Sequence, residues 1–146
     1  DVTIQAQILE LMKDLTKRLG VALIVITHNL GVVARYADRV NVMYAGKIIE
    51  RGLAAEIYRN PSHPYTLGLL ASVPRLDQRR GERLVPIEGQ PPDLTLLDDG
   101  CAFRPRCRFA VDRCNHATPV LETVGEAHLS ACWEHANLQR SAETVS

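Results

Sequence analysis

Seven consecutive residues, Val21-Ala22-Leu23-Ile24-Val25-Ile26-Thr27, restrict this chain more than any other stretch. They are nearly all apolar and mostly β-branched, with no polar alternation. That is the pattern of a strand covered on both faces inside a parallel sheet, not of one half-exposed to water. The run ends on His28. Ligands of open α/β sheets sit just outside the carboxyl ends of the strands, so His28 is a candidate site residue. The competing reading is a strand-end histidine that only leads into the next helix.

Ahead of the run, Ile4, Ile8, Leu11, Leu15 and Leu19 recur at spacings of three and four, which predicts an amphipathic helix over 2–19. Asp1 can cap it and Gly20 can end it. Helix then strand is half of a βαβ unit, so the chain is expected to be a segment of a longer protein, cut ahead of Asp1. A short helix over 29–36 follows, then strands over 39–44 and 47–50 joined in a hairpin at Ala45-Gly46, where glycine supplies the backbone freedom. A further helix over 53–59 stops at Asn60-Pro61. Pro64 then opens a helix that carries Leu67, Leu69, Leu70 and Val73 and ends before Pro74. His63 and Tyr65, at its start, are read as a packed turn in preference to ligand-binding groups.

The stretch Leu30-Gly31-Val32-Val33-Ala34-Arg35-Tyr36-Ala37-Asp38-Arg39-Val40, with Met43 to Gly52 behind it, resembles the segment after the switch histidine of ATP-binding-cassette (ABC) ATPases. The resemblance implies that His28 reaches the γ-phosphate of ATP as a catalytic residue. It also implies that Asp1, ahead of Val2-Thr3-Ile4-Gln5, is the D-loop aspartate at a dimer interface. The family usually has Asp after the histidine. Asn29 stands here, keeping the helix-capping oxygen and dropping a charge. Asn60-Pro61-Ser62-His63-Pro64-Tyr65-Thr66, then Leu69-Leu70, Ser72 and Pro74, resembles more narrowly the oligopeptide/dipeptide branch of ABC importers.

Residues 75–99 change character, with an arginine-rich turn at 79–83 and Pro86, Gly89, Pro91 and Pro92, and read as a linker or extended arm on which Leu84, Val85 and Ile87 dock. The chain's four cysteines then arrive together: Cys101, Cys107, Cys114 and Cys132, separated by five, six and seventeen residues. Their segment has little regular hydrophobic repeat, so something besides burial is expected to hold it. Two disulfides, a four-cysteine zinc site and an iron–sulfur cluster all remain open. Zinc sites more often use short chelating pairs, and longer loops wrap a larger object. His116, His128 and His135 read as surface residues. Ile87-Glu88-Gly89-Gln90-Pro91-Pro92, Gly100-Cys101, Phe103, Pro105-Arg106-Cys107, Cys114, Pro119 and Ala131-Cys132 are similar to the C-terminal extension of the peptide-importer ATPases. Some members of that family carry a 4Fe-4S cluster, so the resemblance implies metal ligation by Cys101, Cys107, Cys114 and Cys132.

Lys plus Arg and Asp plus Glu number 17 each among 146 residues, so no electrostatic footprint for nucleic acid is visible. No apolar run is long enough to span a bilayer. The expected fold class is α/β: the C-terminal part of a P-loop ABC ATPase domain, with a parallel sheet and helices, over 1–74. The arm over 75–99, a small irregular cysteine-rich domain over 100–135 and a disordered tail over 136–146 complete it. The resemblance implies an ATP-binding subunit of an oligopeptide/dipeptide importer, using ATP with Mg2+ and a 4Fe-4S cluster. Its implied partners are a second ATP-binding subunit, transmembrane permease subunits and, indirectly, an extracytoplasmic peptide-binding protein, and its implied place is the cytoplasmic face of the inner membrane. The phosphate-binding glycine loop, signature loop and catalytic glutamate are expected upstream of Asp1, so this stretch alone is expected to be inactive. The alternative is a cysteine-ligated metal or redox regulatory module with no ATPase role.

Overall fold

A computed structural model of the chain describes residues 2–72 and 86–138, with the side chains of residues 2, 3 and 5 excepted. The D-loop role of Asp1, the arginine turn at 79–83, the docking of Leu84 and Val85, the end of the helix at Pro74 and the tail beyond 138 lie outside the described residues. The chain divides into two compact units, Asp1–Asp38 and Arg39–Ser146.

In the first unit, α1 (Val2–Leu19) forms as the periodicity predicts. Gly20, at φ 65°, takes the left-handed conformation that ends it, and the Val21 N–H reaches back to the Thr16 carbonyl at 3.2 Å in a Schellman closure. Asn29 caps α2 (Leu30–Tyr36), its side-chain oxygen accepting from the Gly31 and Val32 N–H groups at 3.0 and 3.2 Å. The Tyr36 hydroxyl donates to the Ala6 carbonyl and ties the two helices together. The parallel strand expected over residues 21–27 is not formed. This segment has no regular secondary structure and no ladder partner among the described residues, and Ile24 and Ile26 are 88% and 97% exposed. A parallel strand draws all its backbone hydrogen bonds from neighbours, and the unit otherwise holds only helices. The apolar stripe of α1 is open for the same reason, and Ile4, Ile8, Leu11, Leu15 and Leu19 are all exposed.

The second unit is built on an antiparallel sheet of four strands, in the order β1 (Arg39–Tyr44), β2 (Lys47–Leu53), β4 (His128–Ser130), β3 (Glu122–Gly125). The β1–β2 hairpin turns through Ala45 and Gly46, both at positive φ (48° and 76°), the pair of conformations a type I′ turn requires. β2 runs on to Leu53, past the predicted end at Glu50, because Arg39 pairs with Leu53. β4 lies beside β2 with Glu50 opposite Ser130. The cysteine-bearing region is therefore no irregular domain apart: it supplies half of the hairpin's own sheet.

α3 (Ala54–Arg59) and α4 (Pro64–Ala71) follow β2, and α5 (Arg113–His116) is a single short turn. Tyr44, Ile49 and Phe103 form the buried core, with Val42, Tyr65, Ile87, Cys101 and Cys107 packed around it. Phe103 is the hub, at 5.2 Å from the Tyr44 ring, 5.6 Å from Tyr65 and 5.9 Å from His63. Ring contacts at such separations contribute beyond the area they bury. Ile87 docks, as the sequence predicts, and the structure places it on α4, so close that a Cβ on Gly68 would meet its side chain at 2.8 Å.

Candidate functional site: a four-thiol pocket

Gly100 begins the cysteine loop, and its lack of a side chain decides the geometry. A Cβ there would meet the Cys114 carbonyl at 2.7 Å and the Asn115 carbonyl at 3.0 Å. That close approach lets the Cys101 N–H donate to the Cys114 carbonyl at 2.8 Å, fastening the first cysteine to the third. Arg104 closes the loop from outside, gripping Asp98 with both guanidinium nitrogens and touching the Cys101 carbonyl. The pairing holds the Asp98 carboxyl below its ordinary range. Arg106 binds the preceding arm, donating to the carbonyls of Glu88 (2.9 Å) and Ile87 (3.0 Å). Gly89, at φ 80°, leaves room for its side chain.

All four cysteines, Cys101, Cys107, Cys114 and Cys132, border one small pocket of about 20 Å3 that is partly open to solvent. All four are free thiols, which sets the disulfide reading aside. Among the described residues no three His, Cys, Asp or Glu side chains converge to hold a single metal ion. The thiols thus ring a space without meeting at a point. Burial above all, with a smaller push from neighbouring thiols, raises the pKa of three of them: Cys101 moves upward, Cys107 to about 11 and Cys132 to about 12. Thiolates gathered here are costly unless a cation or donor offsets their charge. In donor type the four free thiols suit a thiolate-bound group.

His63, Phe103, Phe109 and Trp133 complete the wall. His63 is 2% exposed, and its Nδ1 accepts the Tyr65 N–H at 3.1 Å, making it the cap of α4. Burial lowers its pKa to about 4, so the ring is neutral and its proton resides on Nε2. The packed-turn reading of this histidine holds, and the structure adds that it borders the thiol pocket.

A buried polar network joins the sheet to α4. Glu50 is fully buried, and its Oε1 accepts from the Ser62 N–H at 2.6 Å and pairs with His128 Nε2 at 2.8 Å. The Ser130 hydroxyl donates to the Ser62 carbonyl at 2.7 Å. Burial pushes the Glu50 carboxyl up, while Thr66, Ser62 and His128 pull it back. The Thr66 hydroxyl and Glu50 Oε2 lie without a hydrogen bond of full geometry, so its pull is the weaker in fact. The expectation that His128 is a surface residue is corrected: it is 3% exposed, because β4 lays it between Glu50 and the open face of Gly52. His116 is exposed as expected, and His135 is half-buried with Nδ1 donating to the Cys132 carbonyl at 3.0 Å.

In the first unit, His28 is exposed between Thr27 and the capping Asn29. The Thr27 hydroxyl oxygen accepts the Asn29 N–H at 3.0 Å, which fixes the backbone on either side of His28. No helix among the described residues is long and apolar enough to cross a membrane.

A thiol pocket wedged against a β-hairpin and a proline-initiated helix is the class of structure these residues define. Residues 49–114 match the family described as the oligopeptide/dipeptide transporter, C-terminal region. The chain is 56% identical over 137 residues to a putative peptide import ATP-binding protein of Brucella ovis, covering 90% of this chain and 40% of that protein. It is 51% identical over 132 residues to the oligopeptide transport ATP-binding protein OppD of Mycobacterium tuberculosis, covering 90% and 22%. With the dipeptide transport ATP-binding protein DppD of Bacillus subtilis the identity is 49% over 149 residues, covering 98% and 44%. Residues 49–114 are thus similar to the C-terminal region of this transporter family, and the chain is similar over most of its length to ATP-binding proteins of peptide transport. It spans less than half the length of these relatives.

Proposed function

We propose that the chain is the C-terminal part of an ATP-binding subunit of a peptide ABC importer, which couples ATP hydrolysis to oligopeptide or dipeptide uptake. The observation that carries this reading is the similarity at about half identity to peptide-import ATP-binding proteins across both units, with His28 fixed ahead of a capped helix. Because the similarity spans both units, a cysteine module without an ATPase role is the poorer reading. The remainder of such a subunit would supply neighbours for residues 21–27 and cover the open stripe of α1.

In that setting His28 donates to the γ-phosphate of ATP held with Mg2+, stabilising charge that develops during hydrolysis. Asp1 takes the D-loop place against a second ATP-binding subunit. Transmembrane permease subunits receive the conformational change, an extracytoplasmic binding protein delivers peptide to them, and the subunit sits peripherally on the cytoplasmic face of the membrane. Cys101, Cys107, Cys114 and Cys132 hold a 4Fe-4S cluster, a reading supported by four free thiols around one space. When bound, the cluster supplies a covalent staple across the loop and one-electron redox chemistry. Gly100, Arg104 and Arg106 keep the loop in shape for it.

The test of the ATPase reading is turnover in the assembled transporter. His28→Ala is expected to remove most ATP hydrolysis and leave nucleotide binding largely intact, since the interaction is stronger in the transition state than in the ground state. Hydrolysis at the wild-type rate would refute it.

A further inference from the structure

The wall of the thiol pocket contains a buried polar group that the fold leaves unused. Trp133 follows Cys132 directly and borders the pocket, and its indole Nε1–H is buried with no hydrogen-bond partner. Buried N–H groups are nearly always paired, and one left alone costs the desolvation of the donor. The ring itself is held: the Arg113 guanidinium, one residue before Cys114, lies 3.4 Å from its centroid. Arg113 is thereby placed on the ring face. Arg104, whose charge is felt at Cys101 and Cys114, is bound by both nitrogens to Asp98. The indole N–H is thus a buried donor in the pocket wall with nothing to donate to.

A cluster held by four thiolates is an anion, and taking up one electron makes it more so. Hydrogen bonds to its sulfur atoms favour the reduced form and raise the reduction potential. We propose that the Trp133 indole N–H donates to a sulfur atom of the thiolate-bound cluster and sets its reduction potential. This rests on the reading that Cys101, Cys107, Cys114 and Cys132 hold an iron–sulfur cluster. Trp133 is a tuning residue and not a ligand. Its place next to Cys132 carries the donor wherever that thiolate goes, and the Arg113 stack fixes the ring plane.

The experiment uses the full chain purified without oxygen, with iron and acid-labile sulfide measured first. The cluster is then titrated with dithionite and mediator dyes, dithionite supplying the one electron that each cluster accepts. Trp133→Phe keeps the ring and removes the N–H. It is expected to retain iron and to shift the midpoint to more negative potential, changing the reduced-to-oxidised ratio at fixed potential by up to about tenfold, or about 59 mV. A fully loaded variant with an unshifted midpoint overturns the proposal. Should Trp133→Phe fail to load, replacing the indole by the isosteric benzothiophene, which has sulfur in place of N–H, gives the same two outcomes with packing preserved. Wild-type protein free of iron and sulfide overturns the cluster reading itself, before any variant is made, and the proposal with it.

Discussion

Glu50→Ala is the most demanding test of how the cysteine region is tied to the hairpin. The carboxylate is fully buried and serves two donors at once, the Ser62 N–H at 2.6 Å and His128 Nε2 at 2.8 Å, so truncation orphans both and leaves a hole between β2 and β4. Removing one partner of a buried charged pair costs about 3–5 kcal/mol. Glu50→Gln behaves differently. Its amide oxygen can still accept from Ser62, and burial is the largest influence on the Glu50 carboxyl, so a neutral isostere is relieved of the desolvation that the charge suffers. Its cost is expected to be about 1 kcal/mol. Both variants are measured by urea unfolding followed through Trp133, the chain's single tryptophan, which reports on the second unit alone. His128→Ala, combined with Glu50→Ala in a double-mutant cycle, should show a coupling of about 1–3 kcal/mol. Glu50→Ala within about 1 kcal/mol of wild type, or Glu50→Gln as damaging as Glu50→Ala, would refute the reasoning.

Two further outcomes follow from the pocket wall. The folded-state pKa of His63 is lowered to about 4, so its contribution is fully present above the unfolded value near 6.5 and is lost as pH falls toward 4. Over that window wild type should lose about 3 kcal/mol more stability than His63→Asn, which retains a capping oxygen, and parallel pH curves for the two would contradict the assignment. Gly100→Ala places a methyl against two backbone carbonyls, at 2.7 and 3.0 Å. It should lower stability by about 1–3 kcal/mol and weaken the Cys101–Cys114 fastening, and an unchanged melting temperature would show that the loop yields freely.

The elements legible in the sequence are those whose signals are local. Gly46 marks the hairpin turn, Pro64 opens α4, Gly20 ends α1, and Asn29 caps α2 with the oxygen it shares with aspartate. Long-range pairing has no such mark. Glu50 meets His128 across 78 residues, and nothing in either neighbourhood announces it. β3 and β4 were illegible because they are short, and the bend between them is carried by Ala127 at φ 52°, a residue type that rarely signals a turn. With that hairpin unread, the cysteine region looked irregular and His128 looked superficial. The run over residues 21–27 misleads in the opposite way. Its composition asks for a parallel sheet, yet strand pairing needs neighbours that the described residues of the first unit do not supply. The grouping of the four cysteines in sequence did anticipate their grouping around one pocket, although spacing could not choose among disulfides, zinc and iron.

Metal and sulfide analysis of the full chain, purified without oxygen from iron-replete cells, tests the central claim about the pocket most directly. About four irons and four acid-labile sulfides per chain are expected, with a brown colour, and Cys107→Ser should lower that content while leaving the β1–β2 hairpin folded. One zinc per chain with no iron and no sulfide, or a pair of disulfides with no metal at all, would contradict it.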